Sequence, residues 1–229
     1  MSEYGNCFAC KAFSESVFSC VDSGIISKLI SNNSISISYR KGQDVYIEGA
    51  PAKGVFCIQE GKVKIYKGCA ERNITIDLAD NSDLIGYQAV FNGNTYTNSA
   101  KCLVDSQICF IPKAPFLNTL NSNANVLMHI LKISCSENHK LSNQLRDLKC
   151  KNTLNRIALT LVGIKDKFGL DENKCVNVSL TRKEISELSG TTTESVIRIL
   201  NDLKNEKVID FYNNRIIIKD AKKLLRYQE

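Results

Sequence analysis

The chain has 229 residues, 43% of them apolar and 24% charged, a composition that excludes a long disordered tract. Its formal net charge is +6, and the basic excess leans toward the C-terminal third: residues 151–229 carry 15 Lys and Arg against 11 Asp and Glu, residues 1–150 carry 15 against 13. No run of about 18 apolar residues occurs and the N-terminal stretch lacks the layout of a secretory signal, so the expectation is a cytoplasmic protein without membrane contact, built from two domains. In that compartment thiols stay reduced, so the ten cysteines are expected as core thiols, metal ligands or redox groups rather than a disulfide framework.

From residue 34 to residue 111 short apolar stretches alternate with turn residues. Strands are expected at Ser34–Tyr39, Asp44–Ile47, Gly54–Gln59, Lys62–Tyr66, Ile74–Leu78 and Ser106–Ile111, with glycines at 42, 49, 54, 61, 86 and 93 between many of them. Short strands at near-regular spacing with Gly turns predict an antiparallel barrel or jelly roll.

Beyond Pro112 and Pro115 the pattern becomes helical, with neither Gly nor Pro from Phe116 to Val162. Leu127, Leu131, Ser134, Asn138, Leu141, Leu145 and Leu148 alternate in steps of four and three, the seam of a coiled coil. Such a stripe buries itself against a second copy of the chain or against the chain's own barrel; the polar Ser134 and Asn138 at its middle favour the register-setting role seen in paired helices. Asn152 or Thr153 is a plausible cap for a following helix with Ile157, Leu161 and Ile164 on its apolar face. The expected division is thus 1–115 for an N-terminal extension and barrel, 116–150 for a dimerisation helix and 151–229 for a C-terminal domain.

Between Val178 and Ile218 the chemistry becomes specific. Thr181 and Glu184 form a capping-box pattern that opens a helix over Arg182–Leu188, and Ser189-Gly190 ends it. A second cap in Thr191-Thr192-Thr193-Glu194 opens another helix, with Val196, Ile197, Ile199, Leu200 and Leu203 as its apolar face. Two short helices joined by a tight Gly-containing turn make a helix-turn-helix. In that motif the second helix enters the DNA major groove; Thr192, Thr193, Glu194, Ile197 and Arg198 then face the bases, with Thr181 and Arg182 nearby. Val208–Tyr212, Asn213-Asn214 and Arg215–Lys219 predict a hairpin, the wing of a winged helix, from which Lys207, Arg215 and Lys219 can reach phosphates. Only two histidines are present, His129 and His139, and neither a phosphate loop nor a metal-hydrolase pair occurs, so no enzyme is expected.

Leu180-Thr181-Arg182-Lys183-Glu184-Ile185 followed by Thr193-Glu194-Ser195-Val196-Ile197-Arg198-Ile199-Leu200 resembles the DNA-binding signature of the CRP/FNR family of bacterial regulators. Arg40–Gln43, Gly49, Ile58–Lys64 and Asp83–Gly86 resemble turns of that family's cupin-like, cyclic-nucleotide-binding-domain-like barrel. The resemblance implies an α+β chain with a sensor barrel, a long dimerisation helix and a C-terminal winged helix-turn-helix. It further implies a homodimer that binds a near-palindromic double-stranded DNA site and contacts RNA polymerase; an adaptor that has lost DNA binding is the alternative.

For the signal, cyclic-nucleotide members of the family carry a Gly-Glu-Leu stretch and a following Arg. Here the first reads Gly86-Tyr87-Gln88-Ala89, and Thr95–Ser99 offers no Arg; a cyclic phosphate is therefore disfavoured, and Gly86, Tyr87, Gln88, Tyr96 and Thr97 are the candidate effector residues. Gly86–Ala89 is closer to the oxygen-sensing branch, which holds a [4Fe-4S] cluster on N-terminal cysteines and one barrel cysteine; Cys7, Cys10, Cys20 and Cys109 are the corresponding thiols. The chain departs from that branch in leaving nine residues between Cys10 and Cys20, a longer interval that puts Glu15 near the third ligand position. Another metal, a redox thiol switch, an organic ligand in the barrel, or purely structural thiols are the competing readings; Cys57, Cys69, Cys102, Cys135, Cys150 and Cys175 are expected to be structural.

Overall fold

The structure is a computed structural model that describes Cys10, residues 12–20, Gly24, Ile30, residues 33–69 and residues 72–227. It divides into two compact units, one made of Met1–Gly68 with Ala79–His139, the other of Cys69–Leu78 with Lys140–Glu229. The architecture is α+β, with antiparallel sheets, a long helix and a C-terminal helix-turn-helix.

Eight strands, β1 (Ile35–Tyr39), β2 (Asp44–Tyr46), β3 (Gly54–Glu60), β4 (Val63–Cys69), β5 (Arg72–Ala79), β6 (Leu84–Ile85), β7 (Ser99–Cys102) and β8 (Ser106–Pro112), form two sheets. Their orders are β1-β8-β3-β6 and β2-β7-β4-β5. The strand pattern of the sequence appears with small shifts at the ends; β6 and β7 are additional. Neither carries the alternation that marks a strand: β6 is two residues long, and β7 reads Ser-Ala-Lys-Cys.

The β3–β8 pair organises the first unit. Val55 faces Ile111, Phe56 faces Phe110, Cys57 faces Cys109 and Ile58 faces Ile108. Because successive side chains point to opposite sides of a sheet, Phe56 and Phe110 fall on one face and Val55, Cys57, Cys109 and Ile111 on the other. On the first face the rings stack: Tyr46 and Tyr96 have centroids 4.3 Å apart, Phe56 lies 5.5 Å from Tyr46, and Phe110 lies 5.2 Å from Phe56. Tyr96 Oη donates to the Gly54 carbonyl at 2.9 Å, and Tyr46 Oη to Asn98 Oδ1 at 3.1 Å. The second face is covered by Val17, Phe18 and Ile30 and by Phe116, Leu120, Val126 and Ile130 from two helices, all buried.

Those helices are α2 (Lys113–Ser122) and α3 (Ala124–Cys150), after the short α1 (Tyr87–Asn92). One unbroken helix from residue 116 is thereby corrected. Asn123 leaves the helical region, with φ −143° and ψ 99°, and its side-chain carbonyl accepts from the N–H groups of Asn125 and Val126. An Asn side chain that satisfies the first donors of a new helix is a cap, which Gly and Pro counting does not reveal.

Gly54 marks the tightest point of the sheet, since a Cβ there would stand 2.2 Å from the Ile111 carbonyl and 2.8 Å from the Phe110 ring. Gly54→Ala is expected to lower unfolding stability by about 1–3 kcal/mol, read as a lower urea midpoint at unchanged slope. Gly68→Ala, with nothing within 4 Å of the added carbon, is expected to leave the midpoint nearly where it was.

Candidate DNA-binding surface and sensor residues

The second unit begins its helix-turn-helix from α4 (Thr153–Phe168), capped by Asn152, whose side chain accepts from Asn155 N at 2.9 Å. Helix α5 (Arg182–Ser189) has a complete capping box: Glu184 N donates to Thr181 Oγ1 at 3.1 Å and Thr181 N to Glu184 Oε2 at 2.8 Å. Gly190 ends it in the left-handed region at φ 62°, where a residue without Cβ is favoured. Helix α6 (Thr193–Asn205) starts from Thr192, whose hydroxyl accepts from Ser195 N at 3.2 Å. Its apolar side, Val196, Ile199, Leu200 and Leu203, is buried, while Glu194, Ile197 and Arg198 are exposed.

This placement divides the expected base-contacting residues into two groups. Thr181 and Thr192 spend their hydroxyls on caps, and Thr193 Oγ1 lies 3.3 Å from Ser186 Oγ, holding α6 against α5. Glu194, Ile197 and Arg198 present the open face, and Arg198 makes no ion pair among the described residues. Asn201 continues that face and is exposed; the three-and-four spacing from Arg198 and Ile197 was the signal for it.

Arg156 on α4 is the residue that sequence reasoning missed. Its guanidinium donates to three main-chain carbonyls: Nε to Ser189 O at 3.0 Å, Nη1 to Lys151 O at 3.0 Å and Nη2 to Gly190 O at 3.3 Å. Ser189 and Gly190 are the turn of the helix-turn-helix. Their carbonyls are the unsatisfied groups of a helix C-terminus, and one planar cation with a fork of donors satisfies them together.

The wing is the hairpin β9 (Ile209–Tyr212) and β10 (Arg215–Ile218), with Asn213 and Asn214 at φ 47° and 62°, the two positive-φ positions of a type I′ turn. Helix α7 (Ala221–Arg226) follows. The wing's cations are engaged within the protein: Arg215 pairs with Asp171 at 2.6 Å and Lys219 with Asp210 at 2.7 Å. The Arg182 guanidinium lies 4.4 Å from the Phe211 ring centre, a cation–π arrangement, and burial lowers its pKa. The Lys219 ammonium and the Phe211 N–H hold the Asp210 carboxyl below its usual range. A depressed carboxylate contributes stability at neutral pH and loses it as pH falls through its folded-state pKa, so these pairs persist wherever a regulator works near neutrality.

In the first unit, the candidate effector residues take three different places. Gly86 begins α1 at φ 76°, where a Cβ would meet the Tyr96 ring at 3.1 Å and the Tyr46 ring at 3.3 Å; Tyr96 belongs to the ring stack. Tyr87 Oη and Gln88 Nε2 instead donate to Glu137 Oε2 of α3 at 2.6 and 2.9 Å. Thr97 is exposed. Of the candidate cluster thiols, Cys7 lies outside the described residues. Cys10 and Cys109 line one cavity of about 20 Å³ together with Cys57, whereas Cys20 is exposed and its Sγ donates to the Val17 carbonyl at 3.5 Å. Along α3 the stripe residues Leu127, Leu131, Leu141, Leu145 and Leu148 are each between 46% and 56% exposed in the single chain; Ser134 is half-buried and Asn138 exposed. Among the described residues no helix is long and apolar enough to cross a membrane.

A β-roll followed by a winged helix-turn-helix defines a DNA-binding regulator. A cyclic nucleotide-binding domain profile matches residues 36–123, and a Crp-like helix-turn-helix profile matches residues 155–227. The chain belongs to the CRP/FNR family of transcription regulators, which are not enzymes, and it is a DNA-binding regulator of that family. It is 24% identical over 193 residues to the CRP-like cAMP-activated global transcriptional regulator of Mycobacterium tuberculosis, covering 83% of this chain and 86% of that one. It is 25% identical over 213 residues to the Anaerobic regulatory protein of Bacillus subtilis, covering 90% of each. Among solved structures, FixK2 from Bradyrhizobium japonicum shares the fold with TM-score 0.77 at 20% identity, covering 86% of this chain and 98% of that one.

Arg156→Met keeps the stem of the side chain and removes every donor. The expected outcome is a loss of about 1 kcal/mol in stability, from two partly buried carbonyls, of Ser189 and Lys151, left without this partner. Operator binding should weaken on all sequences alike, because the turn rather than a base contact is altered; a urea titration and a binding series on several operators read the two effects.

Proposed function

We propose that the chain acts in the cytoplasm as a homodimer that reads a near-palindromic operator through α6, contacts RNA polymerase, and is controlled by a redox signal received in its N-terminal domain. The observation that carries the DNA-reading part is the open face of α6. Glu194 and Arg198, four residues apart, flank the apolar Ile197 on a helix whose opposite side is buried and whose N-terminus is capped by Thr192, after a turn held by Arg156. Arg donates two bonds to guanine, Glu accepts from cytosine N4, and an exposed aliphatic side chain meets the thymine methyl. Thr192 and Thr193 position that helix, and Thr181 caps α5 beside it. Arg182 and Arg215 are pre-oriented by Phe211 and Asp171 at the base of the wing, where a phosphate can compete for them.

Pairing of two copies rests on the α3 stripe. A row of half-exposed leucines on a 27-residue helix leaves apolar area in water that a second identical helix removes. We assign the domains as 1–115, 116–150 and 151–229, with the middle segment as the dimer element.

For the signal, a cyclic nucleotide is the poorer candidate, since the ring stack of Tyr46, Phe56, Tyr96 and Phe110 occupies the inner face and residues 95–99 bring no cation to it. The M. tuberculosis relative is named for activation by cAMP and the B. subtilis relative for anaerobic regulation; the thiol content here favours the second kind of signal. A [4Fe-4S] cluster on Cys7, Cys10, Cys20 and Cys109 requires four converging sulfurs. Against it, Cys20 is exposed and is not among the residues that line the cavity shared by Cys10 and Cys109, and among the described residues no group of three or more His, Cys, Asp or Glu is placed to hold a metal ion. An organic ligand at Gly86, Tyr87 and Gln88 is the second reading, favoured by the bonds those two side chains make to Glu137 on α3.

Arg198→Ala is expected to weaken operator binding by about 1–3 kcal/mol and to relax preference at one position in each half-site; unchanged footprints at equal protein concentration would overturn the assignment of α6. Leu141→Asp with Leu145→Asp is expected to convert the dimer to a monomer in sedimentation and to abolish operator binding while the circular dichroism of each unit is retained. Iron and acid-labile sulfide measured on anaerobically purified protein decide the cluster: stoichiometric amounts of both would restore the four-cysteine site, and their absence leaves the thiols to act without metal.

A further inference from the structure

We propose that Cys57 and Cys109 form a reversible disulfide across strands β3 and β8, making this pair a site of oxidative modification in the N-terminal unit. Neither residue type nor spacing pairs them in the sequence, where 51 residues lie between them; the sheet register does. They are direct partners in the antiparallel ladder, held between Phe56–Phe110 and Ile58–Ile108. Directly opposed residues in such a ladder have Cα atoms about 4.5 or 5.5 Å apart, depending on the hydrogen-bonding parity. Both values lie inside the range of roughly 4.4–6.8 Å that a disulfide spans. Opposed side chains also project from the same face, so the two sulfurs stand on one side of the sheet.

Both residues are buried in the core beneath α2 and α3, and a small cavity reaches them. Both thiols line a cavity of about 20 Å³ whose other walls include Cys10, Phe13, Phe18 and Gln59. That is space for roughly one water-sized molecule, the size class of hydrogen peroxide. Cys10, half-exposed, sits at the same cavity. The other described thiols have no such arrangement: Cys102 is buried on β7, Cys175 belongs to the second unit, and Cys20, Cys135 and Cys150 are exposed.

The chemistry balances with hydrogen peroxide as the oxidant. The thiolate of one cysteine attacks a peroxide oxygen, the O–O bond breaks, hydroxide leaves, and a sulfenic acid forms. The sulfur of the second cysteine attacks that sulfenic sulfur, the S–S bond forms, and the hydroxyl departs as water with the second thiol's proton. Two thiols and one peroxide give one disulfide and two waters. A dithiol reductant reverses it by exchange through a mixed disulfide. This inference is independent of the operator-reading role of α6, and it employs Cys57, which the four-cysteine cluster does not.

The test uses the full-length protein, freed of metal with chelator and treated with hydrogen peroxide. It is then denatured in N-ethylmaleimide and digested with trypsin without reduction. Expected is a species joining the peptide of residues 54–62 to that of residues 102–113, with fragmentation placing the bond on Cys109 rather than Cys102, and its disappearance with dithiothreitol. Cys57→Ser and Cys109→Ser should each abolish it, while Cys102→Ser and Cys20→Ser should leave it in place. Recovery of Cys57 and Cys109 fully alkylated from samples in which Cys135 and Cys150 have already been oxidised would overturn the proposal, as would Cys109 linked to any other cysteine. Operator binding measured on the untreated sample separates the two readings: its failure counts against the DNA-reading role and leaves the mapped disulfide unaffected.

Discussion

The pairing of β3 with β8 is the constraint on which the first unit depends. It runs from Gly54 opposite Pro112 to Ile58 opposite Ile108 before the register shifts, and a two-residue alternation sorts every side chain along it onto one of two faces. The large rings go one way and the small or aliphatic residues the other. On the ring side, Phe56 and Phe110 meet Tyr46 and Tyr96. Across the sheet, Val55, Cys57, Cys109 and Ile111 leave a shallow surface, and Phe116, Leu120, Val126 and Ile130 descend onto it. A one-residue slip would exchange the two sets and put rings under the helices. The lack of room for a Cβ at Gly54 works against such a slip, because the strands approach closely only in the observed register.

That sorting also decides what is near α3. Val126 and Ile130, at the beginning of α3, share a core with Cys57 and Cys109, while Glu137, further along the same helix, accepts from Tyr87 and Gln88 of α1. The outer face of the sheet thus meets α3 by direct packing, and the ring side is connected to it through Gly86 and Tyr87, whose hydroxyl donates to Glu137. Coupling carried by packed side chains needs an element with two arrangements. The described contacts show one such arrangement, with the backbone leaving the helical region at Asn123 between α2 and α3.

Much of this was legible before any coordinates. The capping box of Thr181 and Glu184, the glycine at 190 and the paired asparagines at 213 and 214 are local chemistry with few alternatives, and helices α5 and α6 and the wing follow from them. Six strands were legible from alternation. What was hidden shares one physical character: it depends on partners distant in sequence. Arg156 reads as an ordinary helix-surface cation until Ser189 and Gly190 fold back to it. The threonines of the second cap read as base contacts because a hydroxyl that serves DNA and one that serves a backbone N–H look alike in a sequence. Arg215 and Lys219 read as free cations because Asp171 and Asp210 lie on other segments. Cys57 read as filler because its neighbour is 52 positions away.

The same reasoning bears on how thiols are chosen for a role in this chain. Spacing within the N-terminal segment draws attention to Cys7, Cys10 and Cys20, since a metal cluster is held by residues a few positions apart on a loop that can wrap it. A disulfide has the opposite requirement: two sulfurs, a narrow window of separation, and a backbone that holds them there without wrapping. A rigid antiparallel ladder meets that requirement and a loop meets it only by chance. With Cys20 on an exposed turn and Cys57 opposed to Cys109 in the ladder, the geometry satisfies the second set of conditions and not the first.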